Sequence, residues 1–342
     1  MGREGAAPHT PSRAARVRAH SVVITLLTLV VTLTLADQLA TRLGPQGVAG
    51  APRSATPESS AAASVPAVSA SPSATPDVST HLVYATGDIG DCPHTVPAVA
   101  QLVRNRHALI LAVGDIVYPS GQPSGFERCF DPVWGKLKAR IRPVPGNHDY
   151  LTRDAAGYFA YFGAAAGDPS QGWYSFDIGS WHVVALNSMC QDVGGCRASS
   201  PQITWLEADL AAHPTGCTLA YWHHPRFTSG DGGSPRRTEP MWEALYAAGA
   251  EIVINGHDHD YERFAPLDPA GRLDPQRGMR EFVVGTGGAN LTRRVRVAPH
   301  SEIWTRDYHG LLELTLQPGR YHWRFVAAET QRVIDAGSGR CH

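Results

Sequence analysis

Nine polar side chains follow closely on apolar, largely β-branched runs: Asp88, Asp115, Tyr118, Asn147, His148, His223, His224, His257 and His259. Their contexts are "GDIG" (87–90), "GDIVY" (114–118), "GNHDY" (146–150), "HHP" (223–225) and "GHDH" (256–259). Carboxylates, imidazoles, an amide oxygen and a phenol, with no thiolate among them, form a ligand set suited to zinc, iron or manganese. So many donors exceed what one tetrahedral ion takes, which points to two metal ions sharing a bridging carboxylate. Singly, each motif has a plainer reading: "GD" after a strand is a common turn, "GHDH" an exposed loop, and a strand-end histidine a hydrogen-bonding residue. Their joint occurrence, each after a strand, carries the dinuclear reading.

The elements that must bring these tips together are short. "LVYAT" (82–86), "ALILAV" (108–113), "IRPVP" (141–145), "CTLAYW" (217–222), "EIVIN" (251–255) and "EFVVG" (281–285) read as buried strands. Helical patterns lie between several of them, in "TVPAVAQLVRNR" and in "SPQITWLEADLAAH", where Ile203, Leu206 and Leu210 recur at spacings of three and four. Strands alternating with helices predict an α/β fold. "WYSFDIGSWHVVALN" (173–187) and "GLLELTLQPGRYHWRFVAA" read instead as antiparallel hairpins turning at Gly179-Ser180 and Pro318-Gly319. The expected architecture is a layered pair of sheets, parallel in part, with helices outside. In open α/β sheets the crevice beyond the strands' carboxyl ends binds ligands, so five loops from five strands converge there. Glycine before Asp88, Asp115, Asn147 and His257 is expected to turn the chain sharply off each strand and to let backbone approach a ligand. Asp258 and Asp260 are not obliged to ligate, since alternate residues after a turn face solvent; Tyr261, Glu262 and Arg263 are expected to tie that loop down by hydrogen bonds.

The order GDxG, GDxxY, GNHD, strand-end His and GHxH resembles the calcineurin-like metallophosphoesterases, and Tyr118 in "GDIVY" resembles their purple acid phosphatase branch, over about residues 82–336. The resemblance implies an α/β fold, a layered αββα sandwich of two mixed β-sheets flanked by helices. It implies that Asp88, Tyr118 and His259 hold one metal ion, Asn147, His223 and His257 the second, and that Asp115 bridges them. His223 rather than His224 is taken as ligand because the family's ligand is followed by one residue and then proline, as in "HHP". The implied cofactors are two metal ions, Fe(III) with Fe, Zn or Mn foremost. The implied reaction is hydrolysis of phosphate monoesters by a metal-activated hydroxide, with His148 as general acid or phosphoryl hydrogen-bonder. His224 supports a ligand, touches substrate or packs. Two departures stand out: Asp149 occupies a position where many plant and animal members have Glu, and there is no room for the N-terminal β-sandwich of the plant type. The alternatives are a phosphodiesterase acting on nucleotides or glycerophosphodiesters, distinguished by the rim loops 119–130, 151–171, 188–198 and 226–238, and a non-catalytic cell-surface binding module. The aromatic cluster Tyr150, Tyr158, Phe159, Tyr161 and Phe162 reads as core rather than a stacking platform.

Four arginines (Arg3, Arg13, Arg16, Arg18) precede the apolar "SVVITLLTLVVTLTLA" ending at Ala36, the order of an export signal, either cleaved or retained as an anchor. Residues 37–80 form an Ala/Ser/Pro-rich linker too poor in large apolar groups to order, and the catalytic domain spans 81–342. The expected location is secreted or at the outer face of the membrane, with membrane contact only through that anchor. All six cysteines follow the linker, and an even count in an exported chain favours disulfides, structural zinc lacking any CxxC. Cys190 and Cys196 enclose a Gly-containing loop that closes easily; the resemblance implies the pairs Cys92–Cys129 and Cys217–Cys341. Basic and acidic residues number 30 and 31, so no charge excess draws the chain to nucleic acid, and the Arg run in "LTRRVRV" (291–297) reads as solvated surface. The expected partner is a small-molecule phosphate ester.

Overall fold

Thirteen strands longer than two residues run through the described residues, and the way their apolar faces are covered defines the layers. The computed structural model describes residues 79–342 apart from 92–95, 106, 215 and 233–235. The expected signal (1–36), nearly all of the linker and Cys92 lie outside the described residues. The strands are β1 (His81–Thr86), β2 (Leu109–Val113), β3 (Ile141–Val144), β4 (Tyr174–Ile178), β5 (Trp181–Ala185), β6 (Thr218–Tyr221), β7 (Ile252–Asn255), β8 (Tyr261–Phe264), β9 (Arg280–Val284), β10 (Ser301–Thr305), β11 (Gly310–Gln317), β12 (Arg320–Ala327) and β13 (Val333–Arg340). They form two mixed sheets, ordered β13-β12-β11-β1-β2-β3 and β10-β8-β9-β7-β6-β5-β4. Pairing is parallel through β1-β2-β3 and through β5-β6-β7-β9. Seven carboxyl ends therefore open toward the loops that carry the polar tips.

Period-two alternation explains why these strands read as nearly continuous apolar runs. Val83, Ala85, Leu111 and Val113 of the first sheet meet Val183, Leu219, Ile252, Ile254 and Phe282 of the second in a central layer. Their neighbours Tyr84, Ile110 and Ala112 face outward onto Phe126, Phe130, Trp134 and Tyr158, the last from α2 (Ala156–Phe162); α1 (Pro97–Gln101) adds Val99. On the other side Val184, Ala220 and Val253 meet Ile203, Leu206 and Leu210 of α3 (Pro201–Ala212) and Met241, Trp242 and Leu245 of α4 (Glu239–Ala247). The layering is αββα. α3 begins where Ser200 accepts the Ile203 N–H and Pro201 supplies a preset φ. Within the helical pattern at 95–106, the described residues form a helix over Pro97–Gln101, which Leu102 closes before the Asn105 side chain accepts the His107 N–H in a turn.

Both hairpins form, β4-β5 and β11-β12. Tyr158, Phe159 and Phe162 belong to the outer core of the first sheet. Disulfides join Cys190 to Cys196 and Cys217 to Cys341, the second tying the chain's last residues to the start of β6. Cys129 is also disulfide-bonded. No helix of the described residues is long and apolar enough to cross a membrane.

Candidate metal centre

Three of the five tips bend through residues other than glycine: Asp88, Asp115 and His257 have φ of 57°, 49° and 71°. The left-handed region costs such residues roughly 1–2 kcal/mol each, a cost that folded proteins carry mainly where a side chain must be aimed. The glycines before them act differently from the expected turn-makers. Only Gly114, at φ 90°, turns in that sense, and a Cβ on it would lie 2.4 Å from His223 Nδ1. Gly146 supplies space instead: a Cβ there would lie 2.2 Å from Asp115 Oδ1.

The two carboxylates are anchored alike. Asp88 Oδ2 accepts the His257 N–H at 2.9 Å and Asp115 Oδ1 the His148 N–H at 2.7 Å, so each turns its other oxygen inward. Around Asp88 Oδ1 stand Tyr118 Oη at 2.7 Å and His259 Nε2 at 3.3 Å. Around Asp115 Oδ2 stand His223 Nε2 at 3.2 Å and Tyr118 Oη at 3.0 Å. His223 Nε2 is 3.1 Å from Asn147 Oδ1, and the His257 ring centroid is 5.1 Å from that of His223. Two clusters of donors thus share Asp115 and Tyr118.

Backbone carbonyls decide which imidazole nitrogen faces inward. His223 Nδ1 donates to Val113 O at 2.9 Å and His259 Nδ1 to Asn290 O at 2.8 Å, so that Nε2 is the nitrogen each turns toward the carboxylates. His148 Nδ1 donates to Pro119 O at 2.7 Å, and its Nε2 lies 3.9 Å from Asp115 Oδ2. His224 differs from these. It is buried, with Ser188 Oγ 2.9 Å from its Nδ1 and its ring 4.3 Å from that of His257.

Neither aspartate has a lysine or arginine partner among the described residues; their ion-pair partners are His148, His223 and His259. Protons on histidines therefore supply the compensating charge. Burial raises Asp115, but the charge and hydrogen bond of His223 prevail and bring it down to about 2. Burial lowers His223, yet Asp115 and then Asp88 lift it to about 9. His259 rises to about 9 in the same way, Asp88 outweighing burial. Burial and then the His223 charge hold His257 down to about 4. Burial, Asp88 and Asp115 push the Tyr118 phenol well above its usual range. Acidic oxygens and inward-facing Nε2 atoms, with only protons to balance them, are a donor set that a pair of cations fits.

All nine residues singled out from the sequence meet here. Asp258 and Asp260 do not face solvent as expected: both are buried, Asp258 accepting from Thr228 Oγ1 and the Gly232 N–H, Asp260 from Trp304 Nε1. They brace the turn that carries His257 and His259. Tyr261, Glu262 and Arg263 form β8 and do bond outward, to Asp335, Ser229 and Glu302. Asp149, noted from the sequence only as a departure from the family pattern and given no role there, accepts the Gly146 N–H at 2.9 Å and the Ile116 N–H at 3.3 Å, locking two tips together. The signal was its place in "GNHD". Ser188, which holds His224, left none.

The family model for the calcineurin-like phosphoesterases matches residues 81–261. Purple acid phosphatase 15 of Arabidopsis thaliana is 29% identical over 248 residues, covering 60% of this chain and 44% of the relative. Purple acid phosphatase 21 of the same plant is 27% identical over 299 residues, covering 75% and 64%. The chain thus spans about half the length of the curated relatives it matches. Among solved structures, the purple acid phosphatase PPD1 from yellow lupin (Lupinus luteus) seeds superposes with a TM-score of 0.65 at 17% identity, covering 77% of this chain and 54% of that one, a likeness of fold. With the model matching more than half of its length and the layered fold shared, the chain belongs to the calcineurin-like phosphoesterases, in their purple acid phosphatase-like branch.

Proposed function

We propose that this chain is an exported dinuclear-metal phosphoesterase that hydrolyses phosphate monoesters. The observation that carries the reading is the pair of donor clusters sharing Asp115, with inward Nε2 atoms and no lysine or arginine partner among the described residues. Asp88, Tyr118 and His259 suit one ion and Asn147, His223 and His257 the other, with Fe(III) plus Fe, Zn or Mn favoured by oxygen and imidazole donors. Such a pair supplies positive charge for phosphoryl oxygens and lowers the pKa of water.

His148 stands outside both clusters. Its Nδ1 is spent on Pro119 O, so Nε2 is the nitrogen that carries a proton toward a leaving oxygen, and at 30% exposure the ring is within reach of substrate. The 3% exposure of His224 favours its support role: Ser188 holds it, and its ring backs His257. The disulfides support an oxidising compartment. Together with the charged-then-apolar residues 1–36 and the linker 37–80, they fit secretion or residence at the outer membrane face, with 81–342 as catalytic domain.

The test is turnover of 4-nitrophenyl phosphate against bis(4-nitrophenyl) phosphate across pH, using protein purified without chelator and supplied with iron, zinc or manganese. Faster monoester hydrolysis supports the reading. Preference for the diester makes the protein a phosphodiesterase, and turnover of neither, with metal bound, makes it a binding module.

A further inference from the structure

A second group of metal-ligating side chains lies at the opposite end of the second sheet. His182, the second residue of β5, pairs with Thr218 at the amino end of β6, whereas His223 follows the carboxyl end of that strand. The His182 ring is buried between two carboxylates: Nδ1 is 2.9 Å from Asp177 Oδ1 on β4, and Nε2 is 2.8 Å from Asp209 Oδ2 in the last turn of α3. Four residues after Asp209, at the C-cap of α3, His213 stacks its ring on that of His182 at 4.4 Å. Its Nδ1 is 3.4 Å from Asp209 Oδ1 and 2.8 Å from Asp209 O. His182, Asp209 and His213 each bring a ligand atom within 4.8 Å of the others.

A neutral imidazole has one N–H, so His182 can donate to only one of its two carboxylates. With that hydrogen on Nδ1 and directed at Asp177, Nε2 and Asp209 Oδ2 face each other as two ligands of one cation do, and Asp177 is the carboxylate behind the ligating histidine. Ser175 Oγ donates to Asp209 Oδ1 at 2.8 Å, which leaves Oδ2 as the ligating oxygen. Neither Asp177 nor Asp209 has a lysine or arginine partner among the described residues. The carboxyl end of α3 adds partial negative charge, and its last turn holds no basic residue to offset it. A second proton on His182 would satisfy both carboxylates but give His213 no part. Two ligands four apart on one helix are the spacing of a chelating pair, and a His213 side chain 40% exposed is free to turn from the stack toward the ion, with water on the open side.

We infer that His182, Asp209 and His213 form a metal site separate from the dinuclear centre, for a divalent transition ion such as zinc, which clamps the β4-β5 hairpin to the end of α3. Imidazole nitrogens with a carboxylate oxygen select zinc and its neighbours over magnesium and calcium. The inference does not rest on the phosphatase reading.

The experiment is equilibrium dialysis of the chelator-stripped full chain against micromolar zinc in excess magnesium, read by elemental analysis, for the wild type and its His213→Ala and Asp209→Asn variants. The wild type should hold one zinc more per chain than either variant, about three against about two where the dinuclear centre also fills. Zinc should raise the Tm of the wild type more than that of His213→Ala, whose cooperative melting reports that it is folded. Equal zinc content in the wild type and both variants overturns the site, as does displacement of the additional zinc by magnesium. A difference of one zinc, with the variants then holding none, keeps this site and removes the dinuclear reading instead.

Discussion

His223 Nε2 stands 3.2 Å from Asp115 Oδ2, both side chains buried, while the other nitrogen of His223 is committed to Val113 O. The contact joins the tip of β2 in one sheet to the tip of β6 in the other. A ring fixed in this way turns a lone pair, not an N–H, toward the carboxylate whenever it is neutral, which is how two ligands of one cation are arranged.

Asp115→Asn removes the carboxylate that both donor clusters share. Turnover should fall by more than the roughly 10–100-fold that follows loss of a residue behind a ligand, and metal content should drop from two equivalents per chain. Elemental analysis alongside kinetics checks this; near-normal rate and metal content would refute the shared role.

Metal loading should release protons. Without metal, His223 and His259 each hold a proton up to about pH 9, so at pH 7 both are charged, and a ligating Nε2 must give its proton up. Apparent metal affinity should therefore rise with pH through about 9, and the Tyr118 phenol, held well above its usual range by burial and Asp88, carries the rise further. Calorimetric titration of metal into chelator-treated protein, in buffers of different ionisation enthalpy, should count about three protons per metal pair at pH 7, two from His223 and His259 and one from the Tyr118 phenol. A count of zero rules out these histidines as ligands.

Tyr118 gives a spectroscopic handle. With Fe(III) bound beside its phenol oxygen, 2.7 Å from Asp88 Oδ1, the protein should absorb in the visible, and Tyr118→Phe should bleach it at equal iron content. Persistence of the band in the variant would place the chromophore elsewhere.

Acid tolerance should depend on Asp335. It accepts from Tyr261 Oη at 2.7 Å, Arg263 Nε at 2.7 Å and Trp323 Nε1 at 3.0 Å. Burial raises this carboxyl, but the bonds from Arg263 and Tyr261 outweigh it and the net shift is downward. Its stabilisation is therefore complete above the unfolded value near about 3.9 and is lost as pH falls through the lower folded value. Asp335→Asn should cost about 1–3 kcal/mol at pH 6, and the difference in Tm from wild type should shrink below about pH 4. A gap that does not change with pH would contradict this.

Strand-like apolar runs ending in Gly-Asp, Gly-Asn-His or Gly-His are local features, and so the five tips, the two hairpins and α3 were legible from residue order. Asp258 and Asp260 were misjudged because their partners, Thr228 and Trp304, come from distant segments, and nothing in "GHDHDYERF" names them. The glycines were assigned the turning role by rule; only packing shows that Gly146 is needed for space beside Asp115.

Residue order alone determined the inventory of donors and the strands and helices of a layered pair of sheets, because β propensity, period-two burial and helix caps act between near neighbours in the chain, while the αββα layering came from the family resemblance. Tertiary structure decided how those donors are used. Which nitrogen of each histidine faces inward depends on the carbonyls of Val113, Pro119 and Asn290, and the placing of His224 depends on Ser188. The grouping of His182, Asp209 and His213 depends on β5 packing beside the end of α3. These are contacts between segments far apart in the chain, and their geometry exists only once both sheets have closed on a common core.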